Sequence, residues 1–333
     1  MRMTVVRAGP LTMVKDHGRP GQAALGVAPS GAADRSAYAR ANRVVGNPAG
    51  AAVLECVLGG LRVRFDGPAI VALTGTDAVL TVDGRRTAAE SAVHVAAGAE
   101  VGVTAPRDGL RSYLAVRGGF AVAPVLGSRS ADLLAGLGPP RLTARAVLPI
   151  GDPPGGVDPS GGDPGGEDPG GGDPGGGDAS GVVPGGGEVP GGGEVPGGGE
   201  VRGGGEVRGG AGALGAGSGP VVLDVDPGPR DDWFTPEAVA TFLAAEYTVT
   251  PAGDAVGLRM SGPVLARRHQ RELPSEAVVR GSVQVPPDGM PIVFQADHPL
   301  TGGYPVIAVL TPAAADRAAQ LRPGRRVVFR RAG

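Results

Sequence analysis

The chain has 333 residues and a 41% hydrophobic content, enough to fill the cores of two domains of ordinary size. Its formal charge of -2 rests on 30 arginines and one lysine scattered among acids, with no basic run and no interleaved aromatics, which argues against a nucleic-acid groove and fits a pocket for a small anion better. The one cysteine, Cys56, excludes an internal disulfide framework and multi-cysteine metal sites, and is in keeping with a reducing cytoplasm.

The opening residues, MRMTVVRAGPLTMVKDHG, hold no apolar stretch long enough for a secretory signal. Nowhere does a run of about 18 apolar residues occur, so no membrane contact is expected and the predicted location is cytoplasmic.

From 1 to 150 the chain reads as a first β lobe. Short apolar runs at 4–9, 51–65, 69–75, 78–84, 93–98, 100–105 and 112–119 recur every eight to twelve residues with Gly or Asp-Gly between them, the pattern of a barrel or sandwich. One helix interrupts them at DRSAYARANRVVGNP. Asp34 stands where an N-cap or first-turn acid belongs, Ala37, Ala41, Val44 and Val45 form an apolar stripe, and Gly46 with Pro48 ends it.

Residues 151–219 differ in kind. They repeat every five residues from 158 to 178 and every six from 188 to 206, and carry eleven acidic side chains against Arg202 and Arg208. With almost no large apolar side chains the segment has nothing to offset its chain entropy, so it is expected to be a disordered spacer. It lacks the lysine of a phosphate-binding loop, and its acidity would repel that ligand.

A second β lobe, 220–333, follows. The spacing predicts a helix over 235–247 with Thr235 as N-cap and Pro236 at the first position, strands at 256–262, 278–286, 291–297 and 304–311, a short helix near 313–321 and a closing strand at 326–331.

Three polar, glycine-punctuated clusters could carry chemistry: KDHGRPG with PSGAAD at 15–21 and 29–34, LECVLGG at 54–60, and DHPLTGGYP at 297–305. Each pairs a carboxylate with hydroxyl or arginine donors and with glycines that let backbone N–H groups approach a ligand. They supply Asp16, Arg19, Ser30, Asp34, Glu55, Asp297, Thr301, Gly302, Gly303 and Tyr304 as candidates, with Arg259 and Gln284 from neighbouring strands. The four histidines have no i, i+4 spacing and no acid or cysteine set of a zinc site, so each reads as a surface or hydrogen-bonded loop residue and no bound metal is expected.

At this point the sequence resembles a known family. VKDHGRPGQAALGVAPSGAADRSAYARANRVVGNPAGAAVLECVLGG and ELPSEAVVRGSVQVPPDGMPIVFQADHPLTGGYPVIAVL, with SYLAVRGGF, PGPRDDWF and GLRMSGP between them, are similar to the biotin-dependent carboxyltransferase, or allophanate hydrolase subunit 2, family, which includes the C subunit of bacterial 5-oxoprolinase. The resemblance implies two cyclophilin-like β-barrel lobes, a mainly β fold with a few helices. It also implies a companion B subunit (allophanate hydrolase subunit 1-like), for 5-oxoprolinase also an A subunit, and ATP with Mg in the complex that opens 5-oxoproline to glutamate. Two other readings stay open, a carboxyltransferase subunit of the urea carboxylase type and a non-catalytic regulatory partner.

The chain departs from the family pattern at Lys15 in place of Gln, Asp254-Ala255 in place of Asn-Arg, and Pro299-Leu300-Thr301 in the last turn. Lys15, its one lysine, lacks the Met-Lys-Met surroundings of a biotin carrier, so no biotin is expected on this chain. In the expected mechanism Arg19 and Arg259 hold substrate carboxylate or phosphate oxygens, Asp16 or Asp297 is the acid or base, and Thr301 with the Gly302 and Gly303 amides lines the oxyanion side.

Overall fold

A computed structural model describes residues 1–154, 219–269 and 271–333. The expected spacer lies almost wholly outside these residues. Both expected lobes belong to one compact unit.

The first lobe is two antiparallel sheets. One orders its strands Val147–Pro149, Arg2–Ala8, Leu61–Phe65, Glu100–Val103, Leu80–Val82 and Arg85–Arg86; the other runs Leu11–Lys15, Val53–Val57, Arg111–Val116, Ala69–Thr74 and Val93–Val95. Alternation decides which face turns inward. In Leu61–Phe65, Leu61, Val63 and Phe65 are buried while Arg62 and Arg64 face out and reach Glu100 on the next strand, each at 3.2 Å. Arg111–Val116 breaks that alternation and is buried at all six positions. Leu114 and Val116 point into the core between the sheets, and Tyr113 and Ala115 meet the helix α1, Arg35–Val44, packed on the outside.

The second lobe is a closed seven-stranded barrel: Val221–Pro227, Val306–Leu310, Ser282–Gln284, Ile292–Phe294, Gly257–Ser261, Glu246–Val249 and Arg326–Arg331. It closes where Val221–Val225 pairs in parallel with Val327–Arg331. Leu223, Val283, Val293, Val327 and Phe329 fill it. Helix α2, Pro236–Ala244, covers one side, with Phe242 stacked on Phe329 at a ring separation of 4.4 Å. Helix α3, Pro312–Ala318, starts at the N-cap Thr311 and leads toward the first lobe.

The expected helix over 235–247 ends early. Ala245 is extended and Glu246–Val249 is a barrel strand, because Tyr247 and Val249 are drawn into the barrel core that the helix would have denied them. Strands Leu11–Lys15 and Val221–Pro227 were not read from the sequence, and neither was the two-stranded ribbon of Glu276–Ala277 with Thr301–Gly302.

The lobes are joined by polar contacts at the end of α3. The Gln320 carboxamide oxygen accepts from the backbone N–H of Leu110 and Arg111 at 2.9 and 2.8 Å, and its nitrogen donates to Asp34 Oδ2 at 2.8 Å. Arg111 donates to the Ala319 carbonyl, and Arg322 to those of Gly109 and Pro106 at 2.5 and 2.8 Å. No helix among the described residues is long and apolar enough to cross a membrane.

Candidate active site

Two first-lobe loops cross beneath the second lobe. Ala32 N–H donates to the Asp16 carbonyl at 2.9 Å and Arg19 N–H to the Pro29 carbonyl at 2.8 Å, which draws 16–19 against 29–32. Glycine is required there: a Cβ on Gly18, at φ +89, would sit 2.4 Å from the Pro29 oxygen. In the facing loop Ser30 takes a left-handed φ of 54, and its hydroxyl points across the lobe boundary.

It meets Asp297. Fully buried, this carboxylate accepts from Ser30 Oγ at 2.5 Å, from Lys15 Nζ at 3.1 and 3.3 Å, and from Leu133 N–H at 3.2 Å, every donor belonging to the first lobe. Lys15 Nζ also donates to the Ala131 carbonyl at 2.7 Å. An ion pair this deep is held by its hydrogen bonds, without which desolvation would outweigh the attraction.

Beside this cluster lies a cavity of about 400 Å³, walled by Gln22, Val27, Pro29 and Arg35 from the first lobe and by Val278, Arg280, His298 and Leu300 from the second. Its size is ordinary for a small-molecule site. Among the described residues, its charged or titratable walls are two arginines and one histidine, with no carboxylate. His298 is buried, and its Nδ1 lies 2.7 Å from the Pro299 carbonyl oxygen, which implies that Nδ1 carries the proton and leaves Nε2 as the acceptor. Burial lowers the His298 pKa from the ordinary imidazole value, and Arg35 and Arg280 add to that effect against the pull of Asp297 and the Pro299 bond. The neutral ring is the favoured form near neutral pH.

The residues around the cavity are positioned by the other candidates. Glu55 Oε2 accepts from Ala33 N–H at 3.0 Å and from the Tyr113 hydroxyl at 2.8 Å, and that hydroxyl accepts from Asp34 N–H at 2.7 Å, so Glu55 fixes the loop that enters α1. Asp34 is the N-cap of α1, accepting from Ala37 N–H at 2.9 Å. Burial raises its pKa, opposed by the Gln320 and Ala37 bonds. Gln284 donates to the Tyr304 carbonyl at 2.9 Å and packs against Gly302, where a Cβ would lie 2.3 Å from its nitrogen.

Four expected roles change. Asp16 is no free acid or base: its oxygens accept from Gly18 N–H at 2.8 Å, Ser128 Oγ at 2.6 Å and Arg129 N–H at 2.6 Å, and it staples its own lobe. Arg19 is buried too and donates to the Ser130 carbonyl at 2.5 Å, with Asp132 at 3.6 Å, so it holds the loop and not a substrate. Arg259 projects outward from a barrel strand between buried Leu258 and Met260 and has no side-chain hydrogen bond or ion pair among the described residues. Thr301, Gly303 and Tyr304 are exposed on the ribbon side of the turn, Tyr304 at 43% with Arg267 over its ring at 5.9 Å, and none of them lines the cavity. The sequence did not point to Lys15 as a partner of Asp297, to His298 as a cavity wall, or to Arg35 and Arg280; a histidine next to the aspartate of the densest polar turn was the one signal at hand.

A two-lobed β protein with a cationic cavity between its lobes and a buried inter-lobe ion pair beside it is built as a small-molecule site on a carboxyltransferase-type scaffold. The chain belongs to the family of the carboxyltransferase domain, subdomain A and B, whose model matches residues 25–171 and 212–331. It is 31% identical to the C subunit of the 5-oxoprolinase of Escherichia coli (strain K12) over 98% of this chain and 90% of that one. It is 28% identical to the urea amidolyase of Lachancea kluyveri over 98% of this chain, spanning 16% of that longer protein. The crystal structure of the K. lactis urea amidolyase superimposes with a TM-score of 0.76 at 22% identity, covering 98% of this chain and 18% of that one, and the likeness supports the fold.

Proposed function

We propose that the chain is the C-type member of an ATP-dependent 5-oxoprolinase, opening the lactam of 5-oxoproline to glutamate together with companions of the B and A types. The observation that carries this reading is the inter-lobe cavity with His298 on its wall and no carboxylate lining it, in a chain related along nearly its whole length to a 5-oxoprolinase component.

A lactam resists water because its carbonyl is resonance-stabilised and its amine is a poor leaving group. Hydrolysis adds water to the carbonyl carbon, breaks the C–N bond and delivers a proton to the departing nitrogen. A neutral His298 suits both ends of that exchange: it takes the proton of the attacking water and returns it to the amine. The Pro299 carbonyl holds the imidazole through Nδ1, and the Asp297 backbone beside it is fixed by the bonds of its side chain to Lys15 and Ser30. Among the described residues no group of three or more His, Cys, Asp or Glu could hold a metal ion, and the proposal does not need MgATP on this chain. Its place in the proposal is on a companion protein, and no step here runs through it.

A carboxyltransferase role is the second reading, favoured by the family match and the urea amidolyase relative. Biotin would then have to come from another chain, because Lys15 is buried and bonded to Asp297 and Ala131. Copurifying the chain with its companions and following glutamate from 5-oxoproline and ATP tests the proposal: avidin-insensitive glutamate release is expected. Avidin-sensitive carboxyl transfer would replace it with the second reading, and a stable complex without turnover would leave a regulatory partner.

A further inference from the structure

We propose that Arg35 and Arg280 form the recognition end of the inter-lobe cavity for a carboxylate, and that its ligand is a small acid whose apolar body lies on Val27, Pro29 and Leu300. This rests on reading the cavity as the substrate site and names the feature by which it selects.

Arg280 is held rigidly, donating through Nη2 to Asp316 Oδ1 and to the Ala33 carbonyl, each at 2.6 Å. Of the carboxylates close by, Asp34 is spent on Ala37 N–H and Gln320, and Asp316 is fully engaged. Besides Arg280 it accepts from the first N–H groups of α1, Arg35 at 3.0 Å and Ser36 at 3.1 Å, and from the Ser36 hydroxyl. That leaves Arg35. Arg35 is an exposed residue that lines the cavity, and its side chain has no hydrogen bond and no ion pair among the described residues. Partial burial lowers its pKa and the like charge of Arg280 adds to that, with the attraction of Asp316 opposing both, so the two guanidinium groups repel each other there.

A carboxylate in the cavity relieves that repulsion and supplies the planar, two-oxygen acceptor a free guanidinium fits. The N–H groups that begin α1 are already spent on Asp316, which places the anion affinity on side chains and not on the helix end. Apart from Gln22 and His298 the rest of the lining is apolar, which suits a ring or short chain carrying one charge. A carboxylate next to an amide nitrogen is common to 5-oxoproline and to allophanate, so the chemistry alone is shared between the two sources.

Titration calorimetry on the full chain separates them. The probes are 5-oxoproline, allophanate and 2-pyrrolidinone, the last being the same lactam ring without its carboxylate. We expect 5-oxoproline to bind and 2-pyrrolidinone to bind at least about tenfold more weakly, the effect of one lost charge-assisted contact. Arg35→Ala should weaken 5-oxoproline by a similar factor at an unchanged melting temperature, and Arg35→Lys should restore part of it. Arg35-dependent binding of allophanate in place of 5-oxoproline would uphold the carboxylate site and sink the lactam reading. Equal binding of 2-pyrrolidinone, undiminished acid binding by Arg35→Ala, or no acid binding by the chain and by its complex with companions would each overturn the inference.

Discussion

Asp16 and Asp297 invite comparison, since each follows a β-strand within a glycine-rich turn and each is buried. Asp16 spends its oxygens on Gly18, Ser128 and Arg129, all in its own lobe. Asp297 spends its oxygens on Lys15, Ser30 and Leu133, all in the other. The first carboxylate therefore shapes a lobe, while the second joins two and stands next in sequence to His298, which borders the cavity. Identical chemistry in similar local sequence does different work because of where the partners lie.

The comparison breaks most visibly at Asp297→Ala, which strands the Lys15 ammonium in the interior. A loss of about 3–5 kcal/mol is expected, read as a lower denaturant midpoint. The double variant Lys15→Met/Asp297→Ala should recover part of it, since it removes both buried charges. On the Asp16 side, Gly18→Ala forces a Cβ against the Pro29 oxygen at a positive φ, and a loss on the order of 2 kcal/mol is expected. That change should also reduce turnover through the crossed loops.

Smaller effects sharpen the picture. Asp34→Ala removes the α1 cap and the Gln320 bond, and should cost about 1 kcal/mol in thermal unfolding. His298 gives a pH test. Because its folded pKa lies below the ordinary value of about 6.5, the unfolded chain takes up a proton that the native state resists. Its contribution to stability is thus complete above about pH 6.5 and falls as the pH drops from there toward the lowered folded value. In the complex, the acid limb of kcat/KM should lie below the ordinary imidazole range, and Arg35→Ala should move it upward by removing a neighbouring positive charge. Least of all, Arg259→Ala should leave stability within about 0.5 kcal/mol and turnover unchanged.

Much of the fold was legible. Asp34 capping α1 and Thr235 with Pro236 opening α2 are local signals, and the structure carries each, while the run read over 51–65 divides into Val53–Val57 and Leu61–Phe65 in different sheets. The end of α2 was not, because Tyr247 is claimed by a barrel whose strands come from far along the chain. The same limit governs the site. The turn at 297–304 stood out by composition, yet composition does not tell that Asp297 and His298 turn inward while Thr301 and Tyr304 turn out. Lys15 and Asp297 are 282 residues apart, and Arg35 and Arg280 come from different lobes, so no local pattern could pair them.

The central claim is that the hollow between the lobes, and not the outer face of the barrel, receives the substrate. The most direct measurement is a difference map from crystals of the chain with its companions, grown with and without 5-oxoproline. Ligand density is expected between Arg35, Arg280 and His298, with the carboxylate toward the guanidinium groups. Density beside Arg259, or on a companion protein with the hollow unfilled, would contradict it.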